Sequence, residues 1–238
     1  GIYLSVLGFG QGNYQDALMQ RLAQNGNGVA AYIDTLSEAQ KVLSHEATAS
    51  LFTIAGDVKI QVEFNPATVA EYRLIGYETR MLQREDFAND KVDAGEIGSG
   101  HTVTAIYEIT PVGSDAGLIG TSRYQTPPAA TAAYRDELGF LRLRYKLPGA
   151  QKSRLIEAPI IAPAREGAPI PADTLQREVD FSVAVAGFAQ LLKGGQYTGD
   201  WNYDDAIELA LRSRGSDEYG YRTEFVQLVR KAKIASAM

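Results

Sequence analysis

The chain has no cysteine, one tryptophan, two histidines and no long apolar run, and each shortage removes a class of chemistry. Without thiols there are no disulfides, no thiolate metal sites and no cysteine nucleophile. Two histidines, His45 and His101, are too few for a multi-histidine metal centre. No uninterrupted apolar stretch reaches the roughly 18 residues expected of a spanning helix, so no segment is expected to insert directly into a membrane. No signal peptide is visible either. Basic residues are in the minority, 23 Lys and Arg against 29 Asp and Glu, for a net charge of −6. Nucleic acid is therefore not an expected partner, because phosphate binding needs a concentrated basic face. What is present, 238 residues of which 45% are apolar, suffices for a real core.

The chain starts with Gly1 inside an apolar run, which reads as a piece whose upstream part is missing. Residues 2–9 have the pattern of a buried strand, and 14–24 that of a helix with Tyr14, Leu18 and Leu22 on one face. Asn and Gly at 25–28 predict its C-terminal cap. A second short strand (29–34) leads to Thr35 and Glu38, spaced as a capping box before a helix carrying Leu36, Ala39, Leu43 and Ala47. Strand, helix, strand, helix is the α/β pattern of a parallel sheet.

The period changes near Gly56. Residues 58–64 alternate, with Val58, Ile60, Val62 and Phe64 expected inside and Lys59, Gln61 and Glu63 outside. Further strands are predicted at 72–78, 101–109, 138–147 and 153–161, with turn clusters such as "GEIGSG" between them and an exposed loop at 125–133. In the strand at 138–147, Arg142, Arg144 and Lys146 alternate with leucines and a tyrosine, as a solvated face would. Beyond a Pro-rich stretch (162–173), helical spacing returns. Phe181, Val185, Phe188 and Leu192 line one helix ending at Gly194-Gly195, a second spans 203–213, and a third spans 217–235 with Tyr221, Phe225, Leu228 and Ala232.

Four patterns bear on chemistry. In "YLSVLGFGQGN" (3–13), Gly8 and Gly10 fit a dinucleotide fingerprint and Asp34 stands where a ribose contact belongs, but the third glycine position holds Asn13. A tight strand-to-helix turn explains the same residues. In "DWNYDD", Asp200, Asn202 and Asp204 occupy calcium-loop places, yet Asp205 and Leu211 replace the required Gly and Glu, which favours a helix cap. Ser99 and His101 lie near Glu96, but residues two apart on one strand do not converge as a catalytic triad must. The aromatic residues Tyr197, Trp201, Tyr203, Tyr219 and Tyr221 remain as a candidate interaction surface, since Trp and Tyr are enriched at binding hot spots.

Longer stretches resemble one family. "GIYLSVLGFGQGNYQDALMQRLAQNGNGVAAYIDTLSEAQKVL" is similar to the last strand–helix–strand–helix part of a von Willebrand factor type A domain. "DVKIQVEFNPATVAEYRLIGYETRML", "DFANDKVDAGEIGSGHTVTAIYEI" and "YGYRTEFVQLVRKA" resemble the domain of unknown function that follows it in bacterial envelope proteins. The resemblance implies that the glycines of the opening stretch make the exit turn of a late strand of the parallel sheet. A-domains hold their metal with D-x-S-x-S, which this chain lacks, so no metal residue and no cofactor is carried over.

The expectation is thus an α+β protein with three parts. They are an A-domain remnant (1–53), an antiparallel β-sandwich-like region (54–165) and a helical region packed on it (166–238). The expected role is a non-enzymatic protein–protein interaction or assembly module of a bacterial cell-envelope protein, its protein partner unidentified. A two-stranded parallel remnant cannot cover its own faces and edges, so residues 1–53 are expected to pack on the rest of the chain, self-associate or lack order. The alternative is NAD-type nucleotide binding at the Gly8/Gly10 turn.

Overall fold

The computed structural model describes residues 4–10, 12, 14–26, 28–43, 52–76, 81–120, 123, 134–162 and 173–238. Ile2, Asn13, His45, Ala47, the end of the strand expected at 72–78, the 125–133 loop and all but the edges of the Pro-rich stretch lie outside them. The fold is mixed α+β, and the chain divides into two compact units. One holds Gly1–Thr68, Arg80–Val103 and Pro128–Ile161; the other holds Val69–Thr79, Thr104–Pro127 and Ala162–Met238.

In the first unit, β1 (Val6–Phe9) pairs in parallel with β2 (Ala30–Ile33), and α1 (Asp16–Asn25) connects them. The sequence suggests that Gly26 and Gly28 end α1 in left-handed geometry. Gly26 instead has φ −100°, and Gly28 is there for space. The Leu4 carbonyl lies where a Cβ on Gly28 would be. Thr35 caps α2 (Leu36–Lys41), its hydroxyl accepting from the Glu38 N–H at 3.1 Å, while the Glu38 carboxylate pairs with Lys41.

The same unit holds a four-stranded antiparallel sheet in the order β5 (Gly95–Gly98), β3 (Thr53–Phe64), β7 (Glu137–Lys146), β8 (Arg154–Ile161). "GEIG", read from sequence as part of a turn, is strand β5; the turn proper is Ser99-Gly100, closed by His101 N–H to the Gly98 carbonyl. The alternation of β3 is reversed at one place: Lys59 is 5% exposed and Ile60 38%. The reason is a short 3-10 helix, Arg84–Ala88, whose Phe87 is buried and whose segment supplies the Asp86 and Asn89 carbonyls to the Lys59 amine. The basic row of β7 is likewise half-buried and paired instead of simply solvated. Arg142 reaches Glu63 on β3 and Glu157 on β8, and Arg144 lies over the Phe87 ring. Pro159, without an N–H, falls on β8, an edge strand that can spare a donor.

In the second unit, β4 (Val69–Ile75) pairs with β6 (Ile106–Pro111), so the strand expected from His101 begins five residues later. Three helices follow: α3 (Asp173–Leu192), α4 (Tyr203–Arg212) and α5 (Tyr221–Ser236). Ala184, Ala206 and Ala210 are fully buried, and such small side chains let helix backbones approach closely. Phe225 of α5 meets Phe181 and Phe188 of α3 edge-on, at 5.4 and 5.6 Å between ring centroids. The buried stripe of α3 is Phe181, Ala184 and Phe188; Val185 and Leu192, expected on it, are exposed. On α5 the core residues are Phe225, Val226 and Val229, and Leu228 points to solvent. Two positive-φ glycines, Gly194 and Gly195, end α3 as the sequence suggests.

Candidate functional site

The five aromatic residues singled out from sequence all fall in the second unit but in three settings. Tyr203 is core, its ring 6.2 Å from Phe188. Tyr219 and Tyr221 line a polar cleft at the turn before α5. Tyr197 and Trp201 line another cleft of about 250 Å³, beside α3 and the β4–β6 ladder.

This last cleft is built from below by the sequence. Gly187, in the middle of α3, is costly for a helix by about 1 kcal/mol relative to Ala. It is needed because the Trp201 indole lies against it: a Cβ there would be 2.6 Å from Nε1. That Nε1 is buried and has no acceptor among the described residues. Opposite stands Arg73 of β4. Its guanidinium is gripped by Glu108 of the paired strand β6, donates to Gln190 Oε1 on α3 at 3.0 Å, and stacks on the Tyr197 ring at 4.5 Å. Ile75, Ile106 and Val183 supply apolar wall. The result is an apolar slot with a fixed guanidinium–aromatic pair at one side and an unsatisfied indole N–H. Arg73, Glu108 and Gln190 were not legible as site residues, because 117 positions separate Arg73 from Gln190.

A carboxylate cluster lies in the first unit. Ligand oxygens of Asp57, Asp93 and Glu96 fall within 4.8 Å of one another. Asp57 sits at φ +49°, at the irregularity of β3 where its pairing with β7 shifts register between Gly56 and Lys59. Lys146 binds it at 2.5 Å, and the Ala94 N–H donates to it at 3.2 Å. Burial works against the Asp57 charge, but Lys146 and the Ala94 N–H prevail and hold its carboxyl below the usual range. Burial, reinforced by Asp57 and Asp93, pushes Glu96 up, and its Oε2 is buried without a partner among the described residues. Lys146 already supplies a cation to this cluster.

The remaining candidates separate. Gly8 lies within β1, and a Cβ on it would be 2.7 Å from the Tyr14 ring and 2.9 Å from Met19 Sδ. The Tyr14 ring meets that of Tyr32 at a tilt, 4.5 Å between centroids, and Tyr32 donates to the Gly10 carbonyl. Tyr14 and Met19 thus occupy the space beside Gly8. Asp16 adds negative charge in the first turn of α1, where a pyrophosphate would need positive dipole. No observation favours the nucleotide reading. Asn202 caps α4 in a full capping box with Asp205, and Asp204 binds Lys233, so the "DWNYDD" run is a helix start. Ser99 and His101 are exposed residues of one turn, and Glu96 belongs to the Asp57 cluster.

Two solved structures are similar at low identity. A von Willebrand factor type A protein from Catenulispora acidiphila gives a TM-score of 0.41 at 15% identity, covering 96% of this chain and 51% of that one. The ArnB paralog VWA2 from Sulfolobus acidocaldarius gives 0.40 at 16%, with the same coverage. The chain is 42% identical over 232 residues to "Uncharacterized protein YfbK" of Escherichia coli (strain K12), covering 98% of this chain and 39% of that protein's length. Residues 49–234 match the family described as "Uncharacterized protein YfbK, C-terminal". On that match and that identity, the chain belongs to the YfbK C-terminal family.

Proposed function

We propose that this chain is a non-enzymatic protein–protein interaction or assembly module of a bacterial cell-envelope protein. The observation that carries the reading is the slot formed by Arg73, Tyr197 and Trp201. Arg, Tyr and Trp dominate interface hot spots because each brings large contact area with few rotatable bonds or a rigid donor array. Here Glu108 and Gln190 hold the arginine in place before any partner arrives, which lowers the ordering cost of binding. The envelope location follows from the resemblance to envelope A-domain proteins. Self-association through residues 1–53 is a second mode, supported by the half-open surface of that part: Leu4, Phe9 and Val29 are exposed beside the two-stranded β1–β2 ladder.

The immobilised chain should retain a saturable protein partner from bacterial envelope extract. Tyr197→Ala, which removes the exposed ring under Arg73, should lose that partner while the far-UV spectrum is unchanged. Equal retention by the variant, or no specific retention by the native chain, refutes the assignment. Sedimentation velocity across a concentration series reads the self-association separately.

A further inference from the structure

Beyond β6 the chain makes two tight turns and comes back towards β4. The Ser114 N–H donates to the Pro111 carbonyl at 3.2 Å, Gly113 adopts φ +83°, and the Ser114 hydroxyl accepts from the Ala116 N–H at 3.2 Å. The returning segment is pinned from the ladder. The Glu71 carboxylate of β4 accepts from the Leu118 and Ile119 N–H groups at 3.1 and 2.8 Å. Gly117 permits this approach, since a Cβ on it would be 3.3 Å from Glu71 Oε1. Bonds to a carboxylate are strong, so the backbone of this segment is fixed while its side chains are not covered. Leu118 is 72% exposed and Ile119 76%. Two adjacent aliphatic side chains in water gain by burial, and a backbone already held in place lowers the cost of docking them.

The place of this knob matters. Glu71, Arg73 and Ile75 pair with Thr110, Glu108 and Ile106 in unbroken register, so all six share one face of the ladder. That is the face on which the Arg73 slot lies. The knob is therefore anchored two residues along β4 from Arg73, about 7 Å away, and neither Leu118 nor Ile119 lines the slot. The slot is apolar along Ile75, Ile106 and Val183, and its volume of about 250 Å³ exceeds the roughly 150 Å³ of a cavity that accepts benzene. It has room for branched aliphatic side chains. Arg73 and Glu108 neutralise each other, and Glu71 is engaged by its two N–H donors. The face thus carries no surplus charge that would select an oppositely charged partner or repel an identical one.

A two-fold interface uses the same patch on both subunits, so that patch must hold both a projection and its complement. This face holds both. We infer that the slot receives the Leu118-Ile119 knob of a second copy of this chain, and that the exchange is mutual across a two-fold axis. The inference rests on the slot being an interaction site and names its occupant. It is distinct from self-association through residues 1–53, which uses the other compact unit.

The test uses the purified chain alone. Sedimentation velocity across a concentration series should show monomer passing to dimer. Trp201 emission should move to shorter wavelength over the same range, as the partner's aliphatic side chains displace water from the slot. Leu118→Asp with Ile119→Asp removes the knob, and Val183→Glu puts a charge in the slot. Each variant should dimerise at least about tenfold more weakly, the worth of one lost aliphatic contact. Mixing the two variants should restore association, because the knob of one still fits the slot of the other; a misfolded variant would not be rescued in this way. Phe9→Asp, at an exposed residue of β1, should leave the dimer intact. The inference falls if the native chain stays monomeric, if dimerisation leaves Trp201 emission unmoved, or if the knobless variant dimerises like the native chain. It falls equally if the mixture associates no better than either variant alone, or if Phe9→Asp abolishes the dimer. A monomer that pellets with phosphatidylglycerol vesicles through Leu118 and Ile119 also overturns it. A monomer that still captures an envelope protein through Tyr197 overturns this inference alone and leaves the slot as a site for another protein.

Discussion

Lys59 shows how a single side chain can reverse what its neighbours suggest. In an alternating strand it belongs outside, yet it is buried because its amine donates to the carbonyls of Asp86 and Asn89. Lys59→Met keeps the stem's volume and leaves both carbonyls without that donor. It should destabilise the chain by about 1–3 kcal/mol in urea titration, the cost of stranding buried polar groups; an unchanged midpoint would mean the amine is dispensable. Glu96 carries the pH dependence. Its folded carboxyl is raised by burial and by Asp57 and Asp93, so as pH rises past the ordinary carboxylate value the unfolded chain releases its proton first. Stability is therefore lost between that ordinary value and the raised one. Asp57, held low, acts in the opposite sense: its contribution is present at neutral pH and lost as pH falls through its lowered value. Glu96→Gln removes only the first effect. Melting temperatures of variant and native chain should nearly coincide at pH 4, and the variant should melt higher at pH 8. A difference that does not change with pH would contradict this assignment.

The helices were legible where a local signal fixes them. Asn202 with Asp205 two places after Tyr203 marks the start of α4, and the structure has the reciprocal bonds of a capping box there. Asn202→Ala should cost about 1 kcal/mol by chemical denaturation; no loss would mean Asp204 or Asp205 takes over the cap. The start of α5 misled, because Asp217 is at φ +48° outside the helix while its carboxylate reaches in to cap Arg222 and Thr223. The helix itself begins only at Tyr221, after Gly220. Which stripe of α3 is buried could not be read from hydrophobicity alone. Ala184 is chosen over Val185 because α3 must approach α4 and α5 closely, a tertiary demand with no signature in the stripe. Gly187 follows the same logic. Gly187→Ala favours the helix locally but drives a methyl into the Trp201 ring. We expect a net loss of about 1–2 kcal/mol together with a changed emission spectrum, since Trp201 is the chain's one tryptophan.

The order of segments along the chain matters most for the candidate slot. The sequence suggests three consecutive parts, whereas the two compact units interleave: β4 and β6 are taken from between the strands of the four-stranded sheet and belong with the C-terminal helices. Period and turn signals locate the strands well, but they do not say which sheet a strand joins. Pairing of β4 with β6 is decided by a register extending from Val69↔Pro111 to Ile75↔Ile106 and by Arg73, whose ion pair with Glu108 also ties the ladder to Gln190. It follows that residues 166–238, though they read as a helical domain, are an incomplete one. Expressed alone, they keep Phe181, Phe188, Phe225 and the buried alanines, so helical far-UV signal should persist. They lose Arg73, Ile75, Ile106 and Glu108, one whole side of the slot, so Trp201 should face water and emit at longer wavelength than in the intact chain. Tyr197, deprived of the guanidinium above it, should at the same time become freely mobile on the nanosecond scale. An unshifted Trp201 spectrum in that fragment would show that the helices alone create its surroundings, and the β4–β6 ladder would then have no part in building the slot.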